Sequence, residues 1–214
     1  GVSEYARQAM VAPIVVNVAE GPGGKVDIRE AEYTSEGFNV DGLDLFNTYP
    51  AGIACHFTGP TPAIHQYPRK ILSGSYIQPT YYDGDPALAP SDVVLRSNPV
   101  VNNTSGSVVG YKYFNFDRAS SPDGVKFEML IRPSGVDGFV DIMAVSPDAS
   151  RGGVLLGTLS IRCGQILQPV KLRADVRNLD KVRGKQLFYL VVKANRENAS
   201  IGEICTIGFV APGR

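Results

Sequence analysis

Side chains that could contact a sugar ring are concentrated in the segment 75–85. They are Tyr76, Gln78, Tyr81, Tyr82, Asp83 and Asp85. An aromatic ring packs on the apolar C–H face of a pyranose, while amides and carboxylates bind its hydroxyl groups. Pro79 restricts the shape of the segment, which lowers the entropy cost of ordering it around a ligand. The pattern predicts a carbohydrate-binding rim, and the alternative is that these tyrosines only fix a long loop to the fold.

Asp83 and Asp85 are close enough in sequence to be considered as a catalytic pair. Glycoside hydrolysis needs two carboxylates placed on either side of the scissile bond. Here the two aspartates flank Gly84, and Asp-Gly-Asp is typical of a tight turn. We therefore predict no catalytic residues in this segment.

The sugar-contacting segment lies within a loop-rich region that runs from Asp41 to Asn103. A long irregular stretch inside a compact domain is usually functional. Its prolines are Pro50, Pro60, Pro62, Pro68, Pro79, Pro86, Pro90 and Pro99. We expect this region to be a decorated insertion in a more regular fold.

Composition limits what the chain can do. Its 214 residues contain 43% hydrophobic and 20% charged residues, which is enough apolar surface for a folded core. Lys and Arg number 21 and Asp and Glu 21, so no basic excess favours nucleic acid or an anionic membrane. The apolar runs are shorter than the ~20 residues that span a bilayer. Cys55, Cys163 and Cys205 lack metal-ligand spacing and are predicted to be buried free thiols.

Short Val-, Ile-, Tyr- and Phe-rich runs separated by Gly and Pro turn signals indicate an all-β protein. The predicted strands are Val11–Val18, Lys25–Tyr33, Gly52–Phe57, Val93–Arg96, Ser107–Phe116, Val125–Pro133, Gly138–Ser146, Gly153–Arg162, Gln168–Asp175, Lys185–Lys193 and Ile201–Val210. Only Ser3–Met10 suggests a short helix. Regular spacing and short connections after Ser107 predict an antiparallel β-sandwich built from hairpins, of jelly-roll type.

Several segments resemble family 6 carbohydrate-binding modules, which have a galactose-binding-like sandwich. Residues 28–33 (IREAEY) resemble their opening strand, and residues 109–117 (VGYKYFNFD) resemble a later one. Residues 154–159 (VLLGTL) and 187–192 (LFYLVV) follow in the order of those modules. The order is more specific than any single motif.

A closer resemblance is to the C-terminal accessory domain of bacterial family 43 glycoside hydrolases of the xylosidase and arabinofuranosidase type. It is carried by residues 32–37 (EYTSEG), 49–55 (YPAGIAC), 83–85 (DGD) and 110–115 (GYKYFN). The resemblance implies that residues 25–214 form the sandwich. It also implies that residues 1–24 are the last strand and linker of a catalytic propeller that this chain lacks.

The resemblance implies a non-catalytic accessory domain of a secreted or periplasmic glycoside hydrolase that acts on plant polysaccharide. The sugar would be a xylan- or arabinan-type oligosaccharide, and the protein partner would be the propeller of the same polypeptide. Because the sequence has no Trp, binding would be weak and would rest on tyrosine. Tyr111 and Tyr113 would share one strand face, with Lys112 and Phe114 on the other. Because one of these faces must be core, one of the two pairs would not be available to a ligand. The alternative function is a structural sandwich that braces the propeller without binding sugar.

The same modules hold a structural calcium ion, which implies a site at Glu30 and Glu32. The two glutamates share one strand face, as oxygen ligation by carboxylates requires. The third ligand of the family, an aspartate near the last strand, is replaced here by the stretch 203–206, in which Glu203 could substitute. The alternative is a solvent-facing pair of carboxylates with no metal.

Overall fold

The computed structural model describes residues 15–18, 26–29, 32–34, 37–39, 41–60, 64–65, 70–71, 74–78, 98–119, 123–162, 164 and 166–213, the short strands before residue 41 and at 64–71 as backbone alone. These residues form β-strands and four short 3₁₀ turns. The chain divides into two compact units, Gly1–Gly42 and Leu43–Arg214. Among the described residues no helix is long and apolar enough to cross a membrane.

The described residues of the first unit form two antiparallel strand pairs. Strand β1 (Val15–Val18) pairs with β2 (Val26–Arg29), and β3 (Glu32–Thr34) pairs with β4 (Gly37–Asn39). The first pair joins residues on both sides of the predicted boundary at residue 25. The assignment of residues 1–24 to a propeller stays a prediction, as does the sandwich boundary.

The second unit is a two-sheet sandwich. Its strands are β5 (Leu43–Asp44), β6 (Thr48–Pro50), β7 (His56–Thr58), β8 (Ile64–His65), β9 (Lys70–Ile71), β10 (Tyr76–Ile77), β11 (Val100–Val101), β12 (Val108–Asn115), β13 (Lys126–Pro133), β14 (Gly138–Ala144), β15 (Val154–Ile161), β16 (Val170–Asp175), β17 (Lys185–Ala194) and β18 (Gly202–Val210). The 3₁₀ turns are Ala51–Ile53, Phe116–Arg118, Ala149–Arg151 and Leu179–Lys181. Strands β8 and β9 form a separate antiparallel pair.

The first sheet has the order β10-β11-β18-β13-β16, with β6 also pairing with β18. The second has the order β15-β14-β17-β12-β5, with β7 also pairing with β12. All these pairings are antiparallel except β5 with β12. The predicted antiparallel β-sandwich is confirmed.

Alternation along the strands places one face of each sheet in the core. In β13 the side chains of Phe127, Met129 and Ile131 are fully buried, while Lys126 is exposed. Aromatic rings fill the centre: Phe188 lies 4.8 Å from Phe114, with the ring planes near perpendicular. Burial of such rings removes large apolar areas from water and accounts for most of the sandwich's stability.

Strand β12 departs from the simple alternation. A register shift between Tyr111 and Phe114, opposite β17, places both side chains in the core. Tyr111 stacks on Phe188 with ring centroids 4.9 Å apart, whereas Tyr113 is only half-buried. The expectation that Tyr111 and Tyr113 share a face is therefore wrong, because the bulge resets the alternation. Burial, with a smaller effect of Cys55, raises the pKa of Tyr111, whose hydroxyl has no hydrogen-bond partner among the described residues.

Other predicted elements had different outcomes. The predicted strand Gly52–Phe57 is wrong in its first half, because residues 51–53 form a 3₁₀ turn before β7 begins at His56. Cys205 is buried as predicted, but Cys55 is exposed, since it lies in the connection between that turn and the edge strand β7. Cys163, the helix at Ser3–Met10 and the strand at Val93–Arg96 lie outside the described residues.

Candidate functional site

An open groove with a volume of about 430 Å³ lies at one end of the first sheet, where β10 and β11 meet the start of β18 and the end of β13. Its lining combines one aromatic ring with amide, hydroxyl, carboxylate and guanidinium groups. The lining residues are Tyr76, Val101, Asn102, Arg132, Pro133, Ser134, Ser200, Gly202 and Glu203. We call it the Tyr76 groove.

Tyr76 is held in the groove by its strand. It pairs with Val101 across β10 and β11, and its ring is half-buried. Its hydroxyl donates to Oε1 of Gln78 at 3.4 Å, and the backbone N–H of Gln78 donates to the carbonyl of Pro99 at 2.8 Å. The structure therefore brings together Tyr76 and Gln78, the two sequence-predicted contact residues that it describes.

Asn103 forms the buried support beneath this end of the sheet. Its side chain is completely buried, and its Nδ2 donates to the carbonyls of Val100 and Gly202, both at 2.9 Å. Its Oδ1 accepts from the hydroxyl of Ser75 at 3.0 Å. Its backbone N–H donates to Oγ of Ser200 at 3.0 Å. Because every polar group of this buried amide is paired, it fixes the relative positions of the segments that line the groove.

A glycine allows the two central strands to approach at the base of the groove. Gly202 has a φ of +133°, and a Cβ there would collide with the carbonyl oxygen of Arg132. Glycine adopts this backbone conformation without a side-chain clash. Next to it, the hydroxyl of Ser134 donates to the carbonyl of Ser200. The close approach of β13 and β18 keeps Ser134 and Ser200 at the rim of the groove.

The charged part of the groove is an ion pair. Nη1 of Arg132 lies 3.3 Å from Oε2 of Glu203, and the two side chains remain 30% and 38% exposed. The pair follows from the register, since Arg132 lies directly opposite Glu203 across β13 and β18. A half-exposed guanidinium–carboxylate pair offers donors and acceptors for sugar hydroxyl groups. The carboxylate of Glu203, the suggested third calcium ligand, is therefore already paired with Arg132.

The remaining predicted site residues lie outside what the structure describes. They are Tyr81, Tyr82, Asp83, Asp85 and Glu30, together with the side chain of Glu32, whose backbone belongs to β3. Within the described ranges, no three His, Cys, Asp or Glu side chains cluster as a metal site would require.

Sequence reasoning missed most of the polar lining. Asn102, Arg132, Ser134 and Ser200 were not predicted, and Glu203 was considered only as a metal ligand. These residues come from separate strands and turns, so their meeting depends on sheet order and register. One local sequence signal for this part of the site was the pair Asn102-Asn103. Asn is enriched at left-handed backbone positions, and Asn102, which directly follows β11, has a φ of +59°.

No protein-family model and no curated protein matches the chain. Its fold is similar to a family 6 carbohydrate-binding module from Bacillus halodurans that binds β-1,3-glucan, with TM-score 0.53 and 18% identity over 78% of this chain and 98% of that one. It is also similar to a family 43 glycoside hydrolase, an arabinoxylan arabinofuranohydrolase from Bacillus subtilis determined with cellotetraose. There the TM-score is 0.50 and the identity 13%, over 87% of this chain and 34% of that one. This chain thus spans about a third of that enzyme. At these identities the likeness shows the fold alone, an all-β sandwich like that of the carbohydrate-binding module.

Proposed function

We propose that this chain is a non-catalytic carbohydrate-binding accessory domain and that the Tyr76 groove is part of its binding rim. The observation that carries the proposal is the half-buried ring of Tyr76 beside the Arg132–Glu203 pair, on a sandwich of the carbohydrate-binding-module fold. The ring supplies a stacking surface for the C–H face of a sugar. The polar lining supplies partners for its hydroxyl groups.

The groove suits weak binding. An aromatic ring contributes on the order of 1 kcal/mol by analogy with aromatic pairs. The proposal also assigns sugar contacts to Tyr81, Tyr82, Asp83 and Asp85, as the sequence predicts. A few such contacts, after the cost of association, correspond to a dissociation constant nearer millimolar than nanomolar.

The described lining of the groove favours binding over hydrolysis. Its one carboxylate, Glu203, is paired with Arg132, whereas glycoside hydrolysis uses two carboxylates across the scissile bond. In our proposal the chain belongs to a longer, secreted or periplasmic, family 43-like glycoside hydrolase that supplies the catalytic propeller. The ligand is a xylan- or arabinan-type oligosaccharide. The similar arabinoxylan arabinofuranohydrolase supports this architecture, since this chain covers 34% of it.

A structural calcium ion at Glu30 and Glu32 remains part of the proposal. Two carboxylates supply the hard oxygen ligands that calcium prefers. A calcium ion bound there would stabilise the folded conformation of the first unit around Glu32, the first residue of β3.

The second candidate is a structural sandwich that braces the propeller. The observation that favours it is an apolar area on the outer face of the second sheet. Val145, whose backbone N–H donates to the carbonyl of Leu187, is 39% exposed, and Leu155, opposite Met143 on the adjacent strand β15, is 44% exposed. Exposed apolar side chains that lie together on a sheet face are typical of a surface that contacts another domain.

Titration separates the two functions. Xylo- and arabino-oligosaccharides are titrated into the wild type and into Tyr76→Ala, Tyr81→Ala and Tyr82→Ala, with binding followed by calorimetry and NMR. Millimolar binding that weakens in these variants supports the binding module. An absence of binding at millimolar sugar favours the brace. Tight binding that survives all three substitutions together would place the site on another surface.

A further inference from the structure

A second groove, with a volume of about 500 Å³, runs along the side of the sandwich where β15 and β16 lie next to each other. These are the outermost strands of the two sheets. They approach closely at Gly157, where a Cβ would lie 2.7 Å from the carbonyl oxygen of Asp175. The backbone N–H of Arg177 donates to the carbonyl of Leu156 at 2.6 Å, which joins the two sheets at one end of the groove. We call it the edge groove.

The edge groove has a polar lining that contains two arginines and one aspartate, Asp175. Thr158 and Ser160 line it from β15, and Arg173, Arg177 and Asn178 line it from β16 and the residues after it. The described lining includes no aromatic residue, which distinguishes it chemically from the Tyr76 groove. Of the lining residues that the structure describes, none is common to the two grooves.

Most charges along this edge are neutralised within the protein. Arg173 and Lys171 pair with Glu128 at 2.7 and 2.9 Å, and Lys126 pairs with Asp175 at 2.7 Å. Arg177 is exposed, and its guanidinium forms no hydrogen bond or ion pair in the part of the chain that the structure describes. The carboxylate of Asp175 also lines the groove and interacts electrostatically with Arg177, so the groove presents an exposed, partly balanced guanidinium with hydrogen-bonding groups on the facing strand.

The surrounding sequence is positively charged. From Lys171 to Lys185 the chain has six lysines and arginines against two aspartates, a net charge of +4 in a protein whose net charge is zero. An electrostatic imbalance of this kind raises the local concentration of anions around the groove. An anion bound there would also meet the hydroxyl and amide side chains of the lining, so it should carry groups that hydrogen-bond to them.

We propose that the edge groove binds a uronic-acid residue of an acidic polysaccharide, with Arg177 pairing with the sugar carboxylate. The proposal rests on the proposed carbohydrate-binding function and adds a second site with a ligand class of its own. A guanidinium matches a carboxylate in a planar, two-bond geometry. The hydroxyl of Ser160 and Oδ1 of Asn178, whose Nδ2 already donates to the carbonyl of Leu155 at 2.9 Å, are partners for the sugar hydroxyl groups.

The test compares xylotriose with xylotriose carrying one glucuronic acid, titrated at low salt. The wild type is expected to bind the acidic sugar about tenfold more tightly, the effect of one charge-assisted contact. Arg177→Gln abolishes that preference. The matched control is Arg183→Gln, which removes the same charge from the same basic segment at an exposed position outside the groove lining. The control keeps the preference, and raising the salt concentration reduces it in the wild type.

Several results would overturn the proposal. They are equal wild-type affinity for the two sugars, equal losses in Arg177→Gln and Arg183→Gln, and equally effective competition by inorganic phosphate. Tyr76→Ala separates this proposal from the proposed function of the Tyr76 groove. It weakens neutral sugar binding and leaves the acidic preference intact if both sites exist. If neutral sugar does not bind while the Arg177-dependent preference persists, the Tyr76 groove proposal fails and the edge groove stands.

Discussion

The hydroxyl of Ser75 donates to Oδ1 of Asn103 at 3.0 Å, and both side chains are buried. This bond links the segment before β10 to the residues that follow β11. Asn103 also holds the start of β18 through the carbonyl of Gly202. Tyr76 follows Ser75 directly in sequence, so the orientation of the Tyr76 ring, the proposed stacking surface for sugar, depends on the buried amide of Asn103.

Asn103→Asp is expected to destabilise the protein by about 2–4 kcal/mol, because the carbonyls of Val100 and Gly202 lose their donors and a carboxylate is buried. Urea unfolding followed by circular dichroism measures the change. The matched control is Asn102→Asp, since Asn102 is half-buried and aspartate tolerates its φ of +59°. Equal losses in the two variants would remove the supporting role from Asn103.

Gly202→Ala is expected to cost about 3 kcal/mol or more, because a φ of +133° is strained for alanine and the Cβ collides with Arg132. The comparison is Gly164→Ala, at φ +53° with no atom within 4 Å of the added Cβ, where only about 1 kcal/mol of strain is expected. Thermal unfolding measures both. A Gly202→Ala variant as stable as Gly164→Ala would show that β13 and β18 can move apart to accommodate the added Cβ.

Glu128 carries a pH-dependent part of the stability. Burial raises the pKa of this carboxyl, but hydrogen bonds and charges from Lys171 and Arg173 outweigh burial, so the pKa lies below its usual value. A lowered folded-state pKa stabilises the fold above the unfolded value of about 4.3. That contribution is lost as pH falls through the lowered pKa.

Glu128→Gln is therefore expected to lose about 1–2 kcal/mol at pH 7 and progressively less below pH ~4, after allowance for the exposed partners. Urea unfolding between pH 3 and 7 measures this. Asp175→Asn, at the exposed pair with Lys126, is the control and should change stability less. A pH-independent loss in Glu128→Gln would exclude the ionic origin.

The fold was largely readable from the sequence, because alternation and turn signals are local. The predicted strand Val125–Pro133 shows this, since its alternate apolar residues Phe127, Met129 and Ile131 are all buried. The bulge in β12 was not readable, because it depends on pairing with β17. It moved Tyr111 into the core and away from any ligand.

The candidate site was only partly predictable. Tyr76 and Gln78 were predicted because an aromatic ring beside an amide is a pattern within one segment. Arg132 and Glu203 were not predicted as a pair, since 71 positions separate them in sequence and only the β13–β18 register joins them. Register follows from the complete sheet, and no local motif encodes it.

Calcium binding at Glu30 and Glu32 predicts a stability that depends on the metal. A chelator should lower the melting temperature, and added calcium should restore it, because a ligand that binds only the folded state stabilises it. Differential scanning fluorimetry on the wild type and on Glu30→Gln measures the shift. A melting temperature unchanged by chelator would remove the ion from the proposed function.

The ring of Tyr76 and its hydroxyl can be separated by two substitutions. Tyr76→Phe keeps the stacking surface and loses only the hydrogen bond to Gln78, which is long at 3.4 Å. Tyr76→Ala removes both. We expect Tyr76→Phe to bind neutral oligosaccharides within about twofold of the wild type, and Tyr76→Ala to lose about fivefold, the equivalent of ~1 kcal/mol for one ring contact.

NMR titration with xylo-oligosaccharides measures these weak affinities, and Tyr113→Ala is the matched control. Tyr113 is also a half-buried surface tyrosine, but it lies on β12 with the ammonium of Lys112 5.7 Å from its ring centroid. It lines neither groove among the described residues, so its loss should leave the affinity unchanged. If Tyr76→Phe is as weak as Tyr76→Ala, the hydroxyl and not the ring binds sugar. If Tyr113→Ala weakens binding as much as Tyr76→Ala does, the sugar lies on the outer face of the second sheet.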